Sequence, residues 1–207
     1  MGSIEVFDKY YIEYEKWFEK NKNIYLSELN LLKSLIPDGL NGIEIGVGTG
    51  RFAEPLNIKI GVEPSDNMEM IAENRGIMVI KGSAEKLTFD NNSFEFALMV
   101  TTICFVDDPV KALKEAYRII KPSGFIVIAF VPSDSFMGEF YIQKKDKSRF
   151  YKDAKFYTVK EVEDFLKISG FKNLFYRQTL FENTNDYVQP YKDGYGEGGF
   201  VAVRAEK

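Results

Sequence analysis

Residues 41–50 read Asn41-Gly42-Ile43-Glu44-Ile45-Gly46-Val47-Gly48-Thr49-Gly50. An apolar run (Ile43, Ile45, Val47) is interrupted by glycines at 46, 48 and 50. That pattern predicts a buried strand entering a tight turn that opens a helix. Glycines in such a turn adopt positive φ and let a ligand approach the backbone closely. Free N–H groups at the following helix start favour a polar or negatively charged ligand. An ordinary glycine-rich βα turn shares this pattern, so the surrounding residues must decide.

Two of them are acids. Glu44 sits two residues before the first glycine, near the carboxyl end of the strand, where a carboxylate suits a cation better than a pyrophosphate. A second apolar run, Ile58-Lys59-Ile60-Gly61-Val62, ends in Glu63. An acid at the end of the second strand can hold both hydroxyls of a ribose. The two together predict a site for a nucleoside with a positive charge nearby.

Glu44 to Gly50 resembles motif I of the class I S-adenosylmethionine (SAM)-dependent methyltransferases, and Glu63-Pro64-Ser65 resembles their second motif. Gly82-Ser83-Ala84-Glu85-Lys86-Leu87-Thr88-Phe89 is similar to the G-D-A-E-x-L-P-F segment of the small-molecule (type 11-like) branch. Lys111 to Gly124 resembles the helix and turn that precede strand five in that family. The similarity covers residues 40–131, with the four motifs in the family's order.

Bulk properties narrow the class. A chain of 207 residues is expected to form one domain; a chain of that size buries on the order of 70% of its unfolded surface. A net charge of −4 and lysines scattered along the chain leave no basic nucleic-acid footprint. Cys104 is the single cysteine, and there is no histidine. Ser-His-Asp chemistry and His-ligated metals are therefore excluded, and no metal site is expected. No apolar run has the length of a membrane span, and the first residues are not signal-like. Met1-Gly2-Ser3 opens like a myristoylation signal, but Val6 breaks the pattern. A cytoplasmic protein with no membrane or nucleic-acid partner is expected.

Residues 4–36 read as two helices, the first with an Ile4, Phe7, Tyr11, Tyr14, Phe18 face and the second from about Tyr25 to Ile36. Arg51 to Leu56 reads as a short helix, and strands are expected at 58–63, 77–80, 94–100, 125–131, 171–181 and 200–203. Asp108-Pro109 starts a helix as N-cap and N1, and Thr158 to Glu161 is a capping box. Residues 132–157 show no clear period and read as an irregular insertion. Strands alternating with helices predict a doubly wound α/β sheet. The resemblance implies seven strands in the order 3-2-1-4-5-7-6, the last antiparallel. It divides the chain into a helical cover (1–36), a cofactor-binding core (40–131) and an acceptor-side insertion (132–157).

What the resemblance implies is a SAM cofactor and a small-molecule methyl acceptor. Glu44 would attract the cofactor ammonium through backbone or water, Gly46 and Gly48 would admit the methionine moiety, and Glu63 would take the ribose hydroxyls. Met68 would pack on the adenine, Ser83 would face the adenine amino group in place of the family's Asp, and Ala84 would offer its N–H. Thr101 would line the methionine end. Tyr10, Tyr11, Trp17, Phe105, Phe136, Phe140 and Tyr141 are the candidate acceptor-pocket aromatics, although aromatics also build cores. Cys104 reads as a buried apolar residue and Asp107 and Asp108 as helix-capping acids. No catalytic base is singled out. A non-catalytic SAM-binding regulator would carry the same motifs. An NAD-dependent oxidoreductase fits less well, because the third glycine of G-x-G-x-x-G falls on Arg51.

Overall fold

The computed structural model describes residues 3–207; Met1 and Gly2, the start of the myristoylation-like pattern, lie outside the described residues. In chain order the elements are α1 (Ser3–Lys9), α2 (Tyr11–Lys20), α3 (Lys22–Leu35), β1 (Gly42–Ile45), β2 (Ile60–Glu63), α4 (Asp66–Asn74), β3 (Met78–Lys81) and β4 (Phe94–Val100). They continue with α5 (Pro109–Ile119), β5 (Ile120–Phe130), α6 (Phe136–Lys144), α7 (Val159–Ile168), β6 (Lys172–Thr179), β7 (Lys192–Asp193) and β8 (Phe200–Glu206).

The strands form one mixed sheet in the order β3-β2-β1-β4-β5-β8-β6-β7. The first five neighbours are parallel, and β8 runs antiparallel to both β5 and β6. This is the Rossmann-like, doubly wound arrangement with one more strand than expected. The addition is β7, a two-residue edge strand on β6, held by an Arg177–Asp193 ion pair at 2.9 Å.

Period-two alternation sends side chains to both faces of the sheet. Along β5, Ile126, Ile128 and Phe130 pack with Leu113 and Ala116 of α5 and Val162 and Leu166 of α7. Phe125, Val127 and Ala129 face the other way, toward Leu31, Leu32 and Leu35 of α3. Both faces are covered, as a largely parallel sheet requires. The predicted caps are present: the Asp108 side chain accepts from Lys111 N at 3.0 Å, and Thr158 and Glu161 form a reciprocal capping box.

Three local expectations are corrected. The N-terminal segment forms three helices rather than two, because Tyr10 (φ −114°, ψ 27°) and Asn21 (φ −110°, ψ 42°) leave helical geometry. Residues 51–57 are a series of turns, closed by Asn57 at φ 56°, and not a helix. The supposedly irregular insertion contains α6, whose start is capped by Ser135 Oγ accepting from Gly138 N at 3.0 Å.

The switch in strand order falls between β1 and β4, whose C-terminal ends point into one crevice. Ligands in open α/β sheets bind at that place. Helices α1 and α2 lie over it. Asp8 of α1 accepts from Asn67 N at 2.9 Å and Ser65 Oγ at 2.8 Å at the start of α4. Glu15 of α2 pairs with Arg51 and Arg75 at 2.5 and 2.7 Å.

Candidate active site

Between the strand ends and the helical cover is a cavity of about 330 Å³. Its floor is the glycine turn. Gly46 and Gly48 both have positive φ (73° and 54°), which glycine alone adopts readily. They differ in what surrounds them. A Cβ on Gly46 would lie 2.4 Å from Thr102 Cγ2, so its bareness serves packing. A Cβ on Gly48 would meet only Tyr14 Oη at 3.5 Å and Met68 Sδ at 3.8 Å, on the cavity side. Gly48 therefore keeps space free for a ligand.

Glu63 stands at the end of β2 and lines the same cavity. One carboxylate oxygen accepts from Gly48 N at 2.9 Å and the other from Ser65 N at 3.0 Å. Burial pushes its carboxyl up to about 7, while these two backbone donors pull the other way. The donors fix the carboxylate's orientation and leave it free to accept further hydroxyl groups from the cavity side. Met68, Ser83, Ala84 and Thr101 also line the cavity. Thr101, just past β4, has φ 50°. A β-branched residue in the left-handed region is uncommon, and such backbone strain clusters at functional sites.

Glu44 is placed differently from what its motif position suggests. It is only 2% exposed and is not part of the cavity wall. It lies under the glycine turn, where burial raises its carboxyl well above the usual range against one N–H bond from Ala53. Its Oε2 and the Thr49 Oγ1 lack partners among the described residues. Any pull on a ligand ammonium acts through the intervening turn.

Of the proposed acceptor-pocket aromatics, Trp17, Phe105 and Tyr141 line the cavity. Tyr10, Tyr11, Phe136 and Phe140 do not. Phe136 and Phe140 are 38% and 40% exposed, on the outer side of α6, while Met137 of the same helix faces in. The helical period decides which side chains turn inward, and the absence of a visible period in residues 132–157 hid it. Tyr10 instead packs against Phe150 and Arg149. Phe7, Tyr14 and Phe18, from the apolar face expected of the first helix, join the wall together with Phe150 and Tyr151.

Cys104 is buried, donates its thiol to Thr101 O at 3.1 Å, and is pushed up to about 12 by burial. It is a packing residue rather than a nucleophile. Asp108 caps α5 as expected, but Asp107 lines the cavity mouth, its backbone N–H donating to Glu85 Oε1 at 2.8 Å. Sequence reasoning also missed Glu28 of α3, an acid 7% exposed on the cavity wall. Its signal was present: Leu31, Leu32 and Leu35 follow at i+3, i+4 and i+7, so Glu28 lies on the helix's buried stripe.

Residues 43–128 match the family described as "Methyltransferase domain". A solved SAM-dependent methyltransferase from Thermotoga maritima, described as a possible histamine N-methyltransferase, is 51% identical. The superposition covers 98% of this chain and 99% of that one, with a TM-score of 0.95. The chain belongs to the SAM-dependent methyltransferases.

An uncharacterized protein of Methanocaldococcus jannaschii is 52% identical to this methyltransferase over 99% of this chain and 100% of its own. A demethylmenaquinone methyltransferase of Bacillus licheniformis is 29% identical over 59% of each chain. The methyltransferase is an enzyme of the class I, small-molecule branch, and SAM is its cofactor. The donor set fits that group: a bare glycine facing the cavity, a backbone-oriented carboxylate, and a wall with no basic side chain among the described residues to repel a sulfonium. No helix among the described residues is long and apolar enough to cross a membrane.

Proposed function

We propose that the cavity holds SAM between the glycine turn and α4 and presents its methyl group to a small molecule bound under the helical cover. The observation that carries this reading is the Gly48–Glu63 pairing. One backbone-oriented carboxylate and one open glycine face the same space at the sheet's switch point. In this reading Glu63 accepts the ribose hydroxyls, Met68 and Ala84 flank the adenine, and Gly46, Gly48 and Thr101 border the methionine end. Ser83 is exposed at the rim and supplies an uncharged acceptor to the adenine amino group.

Bound SAM supplies an already activated methyl on a sulfonium. The protein's part is to hold the acceptor in line with it, an effect worth roughly 7–11 kcal/mol. The residues suited to that are the wall aromatics Tyr14, Trp17, Phe105 and Tyr141, which exclude water and fix the acceptor's plane. Residues 1–36 then act as the cover, 40–131 as the cofactor-binding core and 132–157 as part of the acceptor side, within one domain. An aromatic, acid-lined cavity under the helical cover supports a small acceptor rather than a nucleic acid or a membrane surface. A cytoplasmic setting completes the proposal and is compatible with the buried free thiol of Cys104.

The test is transfer of labelled methyl from SAM in a cell extract. Label recovered in a small-molecule fraction is expected. Label found only in protein or nucleic acid contradicts the proposed acceptor class.

A further inference from the structure

The cavity wall contains an acid that the fold itself does not use. Glu28 is on α3, which packs on the sheet through Leu31, Leu32 and Leu35. It is more than nine-tenths buried and lines the cavity. Among the described residues its carboxylate takes part in no hydrogen bond and no ion pair, unlike Glu63, whose two oxygens each accept a backbone N–H. A buried carboxylate without a partner is costly and is normally paired. Burial alone raises its carboxyl to about 8.

The surroundings define what would satisfy it. Among the described residues the wall carries five carboxyl groups, Glu13, Glu28, Glu63, Glu85 and Asp107, and no lysine or arginine. The titratable groups that feel the Glu28 charge are Tyr14 of α2, Tyr141 of α6 and Tyr151. Burial keeps all three phenols in their neutral form. Tyr14, Trp17 and Phe18 line the cavity from α2. Aromatic faces beside a carboxylate are the recognition chemistry of an organic cation.

We propose that Glu28 is the acceptor-recognition residue of this cavity, its carboxylate pairing with the charged nitrogen of an amine acceptor held among Tyr14, Trp17, Tyr141 and Tyr151. The inference rests on the methyltransferase reading of the site and adds to it the acceptor class and the residue that selects it. The partner missing from the fold is delivered by the substrate, and a neutral or anionic molecule of the same shape leaves Glu28 unpaired.

Calorimetry on the full chain tests this in two stages. S-adenosylhomocysteine is titrated first into wild type, Glu28→Gln and Glu28→Asp. The complexes are then titrated with phenethylamine, tyramine and putrescine, with phenethyl alcohol as neutral isostere. Wild type is expected to bind at least one amine, and phenethylamine more tightly than phenethyl alcohol. Glu28→Gln should lose about tenfold or more in amine affinity, as for a hydrogen bond to a charged group, while binding S-adenosylhomocysteine within about twofold of wild type. Glu28→Asp should keep part of the preference for the amine.

Thermal melting of each variant accompanies the titrations. Glu28→Gln replaces a buried carboxyl that holds its proton up to about 8 with an uncharged amide of the same shape, and it is expected to fold. Unchanged amine affinity in Glu28→Gln overturns the proposal, as does wild type that binds no amine or prefers the alcohol. If Glu28→Gln loses S-adenosylhomocysteine instead, the carboxylate serves the cofactor and the proposal is wrong. Wild type that fails to bind S-adenosylhomocysteine in the first stage refutes the site assignment itself, which separates the two failures.

Discussion

Glu15 Oε2 lies 2.7 Å from Arg75 Nη2, joining the middle of α2 to the end of α4. The same carboxylate binds Arg51, next to Gly50, and Arg75 Nε donates to Thr49 O at 2.9 Å. One acid on the cover therefore grips the glycine turn from two sides. All three side chains are about one-fifth exposed, so solvent screening reduces but does not abolish the pairing.

Glu15→Ala should loosen the cover without unfolding the sheet. The expected loss in S-adenosylhomocysteine affinity is about 1–2 kcal/mol, with a small change in melting temperature, consistent with a partly buried charged network. Calorimetry and circular dichroism melting on the same preparation separate the two effects. Normal affinity in a normally folded variant would show that the cover's grip on the turn does not matter for binding.

Glu63→Ala should weaken S-adenosylhomocysteine binding by about 1.5–3 kcal/mol, the cost of losing hydrogen bonds to a charged acceptor. It also frees Gly48 N and Ser65 N, so the turn itself loses an anchor. Wild-type affinity in a folded Glu63→Ala protein would move the ribose elsewhere.

The glycines give a paired test. Gly48→Ala places a Cβ in ordinary contact with Tyr14 and Met68, so the fold bears only the left-handed backbone cost of about 1–2 kcal/mol. Its cofactor affinity should fall sharply, because the added methyl enters the cavity. Gly46→Ala drives a Cβ into Thr102 and should lower the melting temperature more than Gly48→Ala does. The opposite order of stabilities would reject this division of roles.

The stability of the ligand-free protein should fall as pH rises from about 4.5 to about 8. Glu28 and Glu63 hold their protons up to about 8 and about 7 in the fold, against 4.5 as the ordinary value. The folded chain binds more protons than the unfolded chain in that window, so ionisation favours unfolding. The contribution is complete below about pH 4.5 and lost as pH passes the folded values, amounting to a few kcal/mol at about 1.4 kcal/mol per unit. Glu28→Gln should flatten the upper part of the curve and stabilise the protein at about pH 8. Chemical denaturation across this range gives the slopes; a wild-type curve that is flat would remove the buried-acid description.

Much of the fold and of the cavity floor around the glycine turn was legible in the sequence, because local rules agree there. The nearly continuous apolar run of β4, the Asp108-Pro109 helix start and the Thr158–Glu161 box each have one short-range physical cause. The turn glycines and Glu63 are set by backbone conformation and strand ends, which sequence reports directly. The wall opposite the glycine turn is set by tertiary packing. In the first turn of α6, Gly138 packs against Pro132, where a Cβ would lie 1.9 Å from the Pro132 carbonyl oxygen, so the position admits no side chain. The close approach is on the same helix that turns Met137 and Tyr141 inward and leaves Phe136 exposed. Glu28 was readable from its place on the leucine stripe, but its lack of partners depends on what α2, α6 and the segment around Tyr151 bring beside it.

Titration of the purified chain with S-adenosylhomocysteine and, separately, with NAD is the decisive measurement. Saturable one-to-one binding of S-adenosylhomocysteine, with no heat from NAD, is the predicted result. Binding of NAD with no response to S-adenosylhomocysteine would contradict the assignment of Gly48 and Glu63 to a SAM site.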